Sequence, residues 1–307
     1  MLTPGFKTGP RNWAEGREIV EQEGAQLGEI WFNVLELEQY KPELAWFTER
    51  DVQLGLHHWG LVGSCYKPTL VTNHEALRQE TIDQVKQTID FGREISCAYV
   101  NAHPGARLIE EVDFTVDQQS LAAGLEPTPP EQAQQRLEEA AHELSAYARE
   151  REVVLTFETV PARERPDWSR RDQEVYDSGN TRLPELLSIA NQGSLIGNDI
   201  SHTAAHAAVE NPERDFMWRE VMQRSKELAS QTRLLHINTM SEPFNGTDSH
   251  DGITDDDFAN DVFPNREQLK DWLRLFNDFD HEIFAVLEPS TNMRGNYQAL
   301  VKMLEEL

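Results

Sequence analysis

The sequence predicts an α/β fold, a single (β/α)₈ barrel that spans residues 1–307 as one domain. Short apolar runs rich in β-branched and aromatic residues recur along the chain, and each precedes a polar or amphipathic stretch of helical length. This alternation is typical of parallel βαβ units, and eight such runs indicate a closed barrel. Barrels of this kind commonly take about 250 residues as one unit, so the length does not require a second domain.

Eight runs are predicted as strands. They are PGFK (4–7), GEIWFNV (28–34), VQLGLHHW (52–59), CAYVNAHP (97–104), VVLTFETV (153–160), LIGNDISH (195–202), RLLHINT (233–239) and EIFAVLEP (282–289). The first run is the least strand-like, because Pro4 and Gly5 are poor strand residues. Good helix formers with apolar residues three or four apart predict helices over 75–95 and 131–152.

Three connections are longer than a barrel needs. They cover residues 105–130, 161–181 and 240–263, after the fourth, fifth and seventh strands. Loops that follow strands lie on the face where barrel enzymes build their active sites. We therefore expect the functional site at this end of the barrel.

Charge and composition limit the partners. The net charge is −26, and the basic residues are 21 Arg and 7 Lys against 54 acids, as in proteins adapted to a high-salt cytoplasm. We take the protein as halophilic, a hypothesis that disfavours simple binding of nucleic acid, which usually requires basic stripes. The N-terminus has no apolar signal core and no run reaches the ~20 residues of a membrane span, so we expect a cytoplasmic protein without a membrane partner.

Metal-ligand residue types are concentrated at the predicted strand ends. Six of the ten histidines lie there or just beyond, namely His57, His58, His103, His202, His236 and His250. The carboxylates in such positions are Glu158, Asp199, Asp248 and Glu288. Because strand ends distant in sequence converge on one rim of a barrel, we expect these side chains to be neighbours. Imidazole with carboxylate suits zinc, manganese or iron. With one ligand taken from His57 and His58, the set has nine ligands, which suffice for three ions.

The order and chemistry of these segments resemble the metal-binding motifs of the endonuclease IV family of abasic-site nucleases, within the xylose isomerase-like barrel superfamily. The matching segments are NAHPG (101–105), FET (157–159), DISH (199–202), LHIN (235–238), DSH (248–250) and LEP (287–289). The resemblance implies three ligand sets, which are His57, His103 and Glu158; Glu158, Asp199, His236 and Glu288; and His202, Asp248 and His250. Either His57 or His58 can be the first ligand, and we favour His57 because it continues the alternation of Leu54 and Leu56.

The chain departs from this family in its loops. Where the family has a His-Val-Ser segment that meets DNA, this chain reads FKTGPRNW, and after the first histidine it reads HHWGLVGSCY instead of the family's loop that enters the minor groove. Asp248 and His250 keep their spacing but lie one residue nearer to His236.

The resemblance implies a hydrolase with two or three zinc ions, or manganese or magnesium in their place, that cleaves a phosphoester, with abasic DNA as the leading substrate. A water shared by two ions would attack phosphorus, while the third ion would stabilise the leaving oxygen. Glu158, Glu288 and His103 are the candidate catalytic residues.

The alternative is an isomerase or epimerase of a sugar or sugar phosphate from the same superfamily. It would use one or two ions, held by the smaller set of Glu158, Asp199, His236 and Glu288, with a glutamate moving the proton. The remaining ligands have no evident task in that reaction. A barrel that binds metal without catalysis is a third reading, and the complete ligand set argues against it.

Two further features have more than one interpretation. Arg163, Arg165, Arg170 and Arg171 either clamp a substrate phosphate or pair with nearby acids in solvent. Trp59 either forms a wall for a sugar ring or base, or packs the rim of the barrel. The oligomeric state is left open.

Overall fold

The computed structural model describes residues 1–168, 170 and 173–307. The strands are β1 (Leu2–Thr8), β2 (Leu27–Phe32), β3 (Gln53–His58), β4 (Tyr99–Ala102), β5 (Glu110–Asp113), β6 (Gln118–Leu121), β7 (Leu155–Glu158), β8 (Leu195–Asp199), β9 (Thr232–Ile237) and β10 (Ile283–Leu287). Eight of them form a closed parallel barrel in the order β1-β10-β9-β8-β7-β4-β3-β2. The predicted (β/α)₈ barrel is confirmed.

The helices follow the barrel strands in the expected alternation. They are α1 (Trp13–Glu23), α2 (Leu37–Thr48), α3 (Glu75–Glu94), α4 (Pro130–Glu150), α5 (Leu183–Asn191), α6 (Ile200–Glu210), α7 (Arg214–Leu228), α8 (Asp255–Ala259), α9 (Arg266–Asn277) and α10 (Met293–Glu305). The helices predicted over 75–95 and 131–152 correspond to α3 and α4. Among the described residues, no helix is both long and apolar enough to cross a membrane.

Strand β1 is longer than predicted and accommodates Pro4. Residues 2–6 of β1 pair with β10, whereas only residues 6–8 pair with β2. Pro4 therefore lies where the strand has one neighbour, and its missing N–H costs no hydrogen bond on the other side.

The interior of the barrel changes from apolar to polar along its axis. A buried cluster of Leu27, Tyr99, Leu234, Phe284 and Val286 fills the end where the strands begin. Because side chains of a strand alternate between its two faces, the next inward positions on β2, β9 and β10 are Glu29, His236 and Glu288. The strands that form the apolar floor thus also supply the polar layer above it.

Long connections surround the other end of the barrel. The loop after β4 carries the antiparallel hairpin β5–β6. Partly buried polar contacts join this hairpin and the neighbouring loops. The Tyr176 hydroxyl donates to Glu110 Oε1 of the hairpin at 2.7 Å. Lys67 Nζ donates to Glu164 Oε1 at 2.8 Å and lies 3.5 Å from Glu110 Oε2. The loops after β3, β4 and β7 are therefore joined into one wall.

Candidate metal centre

All nine predicted ligands lie at the carboxyl end of the barrel, and most of them cluster in overlapping sets. The ligand atoms lie within 4.8 Å of one another in three of these sets, which are His57, His103 and Glu158; Glu158, Asp199, His236 and Glu288; and Asp199, His202 and His250. We call His57, His103, Glu158, Asp199, His236 and Glu288 the inner group, and His202, Asp248 and His250 the outer group. Their roles as ligands, and the catalytic roles of Glu158, Glu288 and His103, remain predictions.

His57 and His58 face opposite directions. His57 lies inside the barrel, completely buried, with its Nε2 3.7 Å from Glu158 Oε2. His58 points toward α3, where its Nδ1 lies 2.9 Å from Thr88 Oγ1. The Thr88 hydroxyl donates to the Gln84 carbonyl, so it accepts the Nδ1 proton of His58. The structure thus brings His57, and not His58, into the centre.

His236 has a carboxylate on each side of its ring. Its Nδ1 lies 2.9 Å from Glu158 Oε1 and 2.8 Å from Glu288 Oε2, and its Nε2 lies 3.0 Å from Glu29. Burial alone would lower the pKa of His236, but Glu158, Glu29 and Glu288 raise it well above its usual value. Burial alone would raise the pKa of Glu158, but His236, His103 and His57 together hold it well below its usual range.

The outer group depends on a fixed orientation of His202. Its Nδ1 lies 2.7 Å from the Thr159 carbonyl oxygen, which can only accept, so Nδ1 carries the proton. Its Nε2 then faces Asp248 Oδ2 at 2.8 Å, and His250 Nε2 lies 3.3 Å from the same oxygen. Against burial, Asp199 and then Asp248 raise the pKa of His202 to about 10, and Asp248 raises that of His250 to about 9.

The donor atoms of the centre fit divalent metal. The buried atoms without a hydrogen-bond partner among the described residues include His103 Nε2, His250 Nε2 and Glu288 Oε2, although oppositely charged groups are close to each of them. The carboxylates of the centre are Glu29, Glu158, Asp199, Asp248 and Glu288, and the ammonium is that of Lys7. With the histidines neutral, as metal ligation requires, four negative charges are unbalanced, and two divalent ions would balance them.

Sequence reasoning missed Glu29, which lies in the middle of β2. Glu29 is fully buried and contacts His57 Nδ1 at 3.2 Å, His236 Nε2 at 3.0 Å and the Tyr99 hydroxyl at 2.9 Å. The Tyr99 ring fits because Gly55 opposes it, and a Cβ on Gly55 would lie 2.2 Å from that ring. The absence of a side chain at position 55 and a charged residue in an apolar strand were the available signals.

Lys7 was also missed, although it stands in the segment where the chain departs from the endonuclease IV pattern. Its ammonium contacts Glu288 Oε1, lies 2.9 Å from His57 Nδ1 and 3.5 Å from Glu29 Oε1, and is 4.7 Å from the centre of the Trp31 ring. Burial opposes its charge, but Glu288, Glu29 and Glu158 together raise its pKa above the usual value.

Two residues of the arginine run join loops at the mouth of the barrel. Arg163 donates to the Asn245 carbonyl at 3.2 Å and Arg165 donates to Thr247 Oγ1 at 3.0 Å, so both join the loops after β7 and β9. Arg171 lies outside the described residues. A role in binding phosphate remains a prediction.

Trp59 forms part of an aromatic wall beside the inner group. It stacks on Trp31 with 4.9 Å between ring centroids, and Phe114 of the hairpin meets its edge at 5.9 Å. Its side chain is 7% exposed, and Nε1 has no hydrogen-bond partner among the described residues. These contacts are those of a rim residue, and a contact with substrate remains a prediction.

Residues 23–173 match the xylose isomerase-like TIM barrel family. The match covers 151 of the 307 residues, and the closed barrel is the architecture that the family's description names. No curated protein matches it in sequence.

Solved structures with the same fold include enzymes of two kinds. A D-tagatose 3-epimerase-like protein superimposes with a TM-score of 0.63 at 12% identity, covering 99% of this chain and 97% of its own. The 3-keto-D-glucoside 4-epimerase from E. coli superimposes with a TM-score of 0.61 at 14% identity, covering 100% of this chain and 98% of its own. Endonuclease IV from Thermus thermophilus superimposes with a TM-score of 0.56 at 16% identity, covering 99% of this chain and 100% of its own. At such identities the similarity shows the fold and does not decide between hydrolase and epimerase.

Proposed function

We propose that this protein is a metal-dependent phosphoester hydrolase that holds two or three divalent ions, with zinc the expected metal. The outer group carries the proposal. His202 Nε2 and His250 Nε2 lie 2.8 and 3.3 Å from Asp248 Oδ2, directly beside the set Glu158, Asp199, His236 and Glu288. A sugar epimerase with one ion would need only that inner set.

The chain's own residues prepare the centre for such chemistry. Divalent ions bound here would polarise a phosphoryl oxygen and lower the pKa of water, as phosphoester hydrolysis requires. Glu158 presents Oε1 to His236 at 2.9 Å and Oε2 to His103 at 3.3 Å, so its two oxygens face different positions. Asn101 donates to Glu158 Oε2, and the Thr159 carbonyl orients His202, so the ligand geometry is set by neighbouring protein groups.

The surroundings of the mouth bear on the substrate. The hairpin β5–β6 exposes Glu111 and Asp113, which would repel the phosphates of a duplex at low salt. At 1 M salt the screening length falls to about 3 Å, so high salt would weaken this repulsion. A small phosphodiester is therefore the first substrate to assay, and abasic duplex DNA the second, at both low and high salt.

Substitution of Asp248 tests the proposal. We expect zinc-loaded wild type to hydrolyse bis(p-nitrophenyl) phosphate and Asp248→Asn to lose one zinc per chain and 10- to 100-fold in kcat/KM, because the outer position loses a ligand. Elemental analysis and a colorimetric assay measure both quantities. Asp256→Asn, an exposed position on α8, is the matched control and should change neither.

A single ion per chain, unchanged in Asp248→Asn, would contradict the proposal. That result, together with conversion of a ketose to its epimer, would favour the alternative, a sugar isomerase or epimerase. The observation in favour of the alternative is the aromatic wall of Trp31, Trp59 and Phe114, since such faces suit the apolar side of a sugar ring.

A further inference from the structure

The ammonium of Lys7 is surrounded by acceptors. Its three N–H groups have three partners: Glu288 Oε1, His57 Nδ1 at 2.9 Å and Glu29 Oε1 at 3.5 Å. An ammonium can only donate, so a hydrogen bond from Lys7 requires a lone pair on His57 Nδ1.

A second donor faces the same nitrogen. Asn101 Nδ2 lies 3.4 Å from His57 Nδ1, and the Asn101 amide is oriented because its Oδ1 accepts from the Thr156 hydroxyl at 2.8 Å. Two donors thus face His57 Nδ1, against one acceptor, Glu29 Oε1 at 3.2 Å.

Glu29 does not depend on a proton from His57. It accepts from the Tyr99 hydroxyl at 2.9 Å, and His236 Nε2 lies 3.0 Å away, with carboxylates facing both nitrogens of the His236 ring. Since Lys7 also faces it, Glu29 has three other donors.

A neutral imidazole carries one proton, so a lone pair on Nδ1 places that proton on Nε2. Nε2 is the nitrogen of His57 that faces Glu158 and lies in the set with His103. A protonated nitrogen cannot bind metal.

We propose that Lys7 is a positioning residue that holds the proton of His57 on Nε2. His57 is thereby withheld from the first metal position, the one formed by His57, His103 and Glu158. Its ammonium supplies one of the positive charges that the inner carboxylates require. The second position (Glu158, Asp199, His236 and Glu288) and the outer position then hold the tightly bound ions. The proposal rests on the proposed function only in taking the centre to bind metal.

The tautomer of His57 can be read from the unaltered protein. In ¹⁵N-histidine-labelled, zinc-loaded wild type, we expect His57 to show an unprotonated Nδ1 and a protonated Nε2, with the signals assigned from a His57→Gln spectrum. A protonated Nδ1 with zinc on Nε2 would overturn the proposal. This measurement depends neither on a substrate nor on the folding of a Lys7 variant.

Metal content provides the second readout. We expect wild type to retain no more than two zinc ions after dialysis, and Lys7→Met to bind a third, with at least tenfold higher affinity at the first position. The double variant Lys7→Met/His57→Gln should lose this gain. Lys67→Met is the matched control, because Lys67 is also buried between two carboxylates, Glu110 and Glu164, but contacts no predicted ligand.

Three ions in wild type, with one lost in His57→Gln, would refute the role of Lys7. Unchanged zinc binding in a folded Lys7→Met would refute it too. If neither wild type nor any variant binds zinc, the proposed function fails, and the tautomer of His57 in the metal-free protein still decides whether Lys7 holds the proton on Nε2.

Discussion

The inner and outer groups differ in what holds them. Glu158, Asp199 and His236 end barrel strands or lie within them, and their side chains are almost completely buried. Asp248 and His250 belong to the loop after β9, with side chains 24% and 28% exposed. His250 also has a positive φ of 46°, which a loop tolerates more readily than a strand.

The inner group is therefore largely enclosed by the barrel, whereas the loop residues of the outer group face solvent. The inner group is oriented by Asn101 and Glu29 and balanced in part by Lys7, so the protein itself fixes its charge and geometry. The outer group has one such support, the Thr159 carbonyl behind His202. We expect ion affinity to depend mainly on the inner group and substrate contact mainly on the outer one.

Loss of the shared inner carboxylate should have the largest effect. Glu158 faces His236, His103 and, at 3.5 Å, His202, so Glu158→Gln removes charge from both groups at once. We expect lower zinc content and a loss of about 10³-fold in phosphodiester hydrolysis, equivalent to several kcal/mol of transition-state stabilisation.

The same substitution at the opposite rim is the control. Glu282 is exposed and bonds Thr3 at the beginning of the barrel, and Glu282→Gln should leave zinc content and rate unchanged. If Glu158→Gln retains both, the inner group is not the part of the centre that holds metal, and the distinction between the groups fails.

Glu29→Gln tests the support behind the inner group. A glutamine keeps the size of the side chain but directs an amide toward donors, which weakens the hold on His236 Nε2. Because a partner behind a ligand typically contributes 10- to 100-fold in metal affinity, we expect such a loss at the His236 position, measured by competition with a chelator.

Tyr99→Phe sharpens this test, since it removes one donor to Glu29 and keeps the carboxylate that His236 needs. We expect its zinc affinity to lie within about threefold of wild type. Equal losses in Glu29→Gln and Tyr99→Phe would point to general loosening of the barrel interior and against an orienting role for Glu29.

The sequence was sufficient for the architecture because period-2 strands and amphipathic helices alternate throughout. It underestimated β1, since Pro4 is tolerated where only β10 pairs with it. The hairpin β5–β6 within 105–130 was not foreseen, because its two strands have four residues each and alternate weakly.

For the site, metal-ligand residue types at or next to strand ends were predictable, as His103, Glu158 and Glu288 show. Lys7 also lies next to the end of its strand, but lysine is not among the metal-ligand types. Glu29 lies in the middle of β2, and a single charge in an apolar strand does not reveal which neighbour it meets across the barrel. Only the register of β1 and β2 with their neighbours brings both to His57.

The smallest expected effect is on stability and comes from the titration of Glu110. This residue belongs to the wall of joined loops after β3, β4 and β7, beside the outer group. Burial, and secondarily Glu164, raises the pKa of Glu110 to about 7, although Lys67 and the Tyr176 hydroxyl oppose the rise. A raised pKa means that the folded state binds the proton more tightly, so this contribution to stability is complete below pH 4.5 and is lost as the pH rises through 7. Urea unfolding of wild type and Glu110→Gln should therefore show the variant gaining about 2 kcal/mol relative to wild type between pH 4.5 and 8. Glu111→Gln, one residue along on the exposed face of the hairpin, is the matched control, and the same pH dependence in both variants would mean that the wall does not titrate through Glu110.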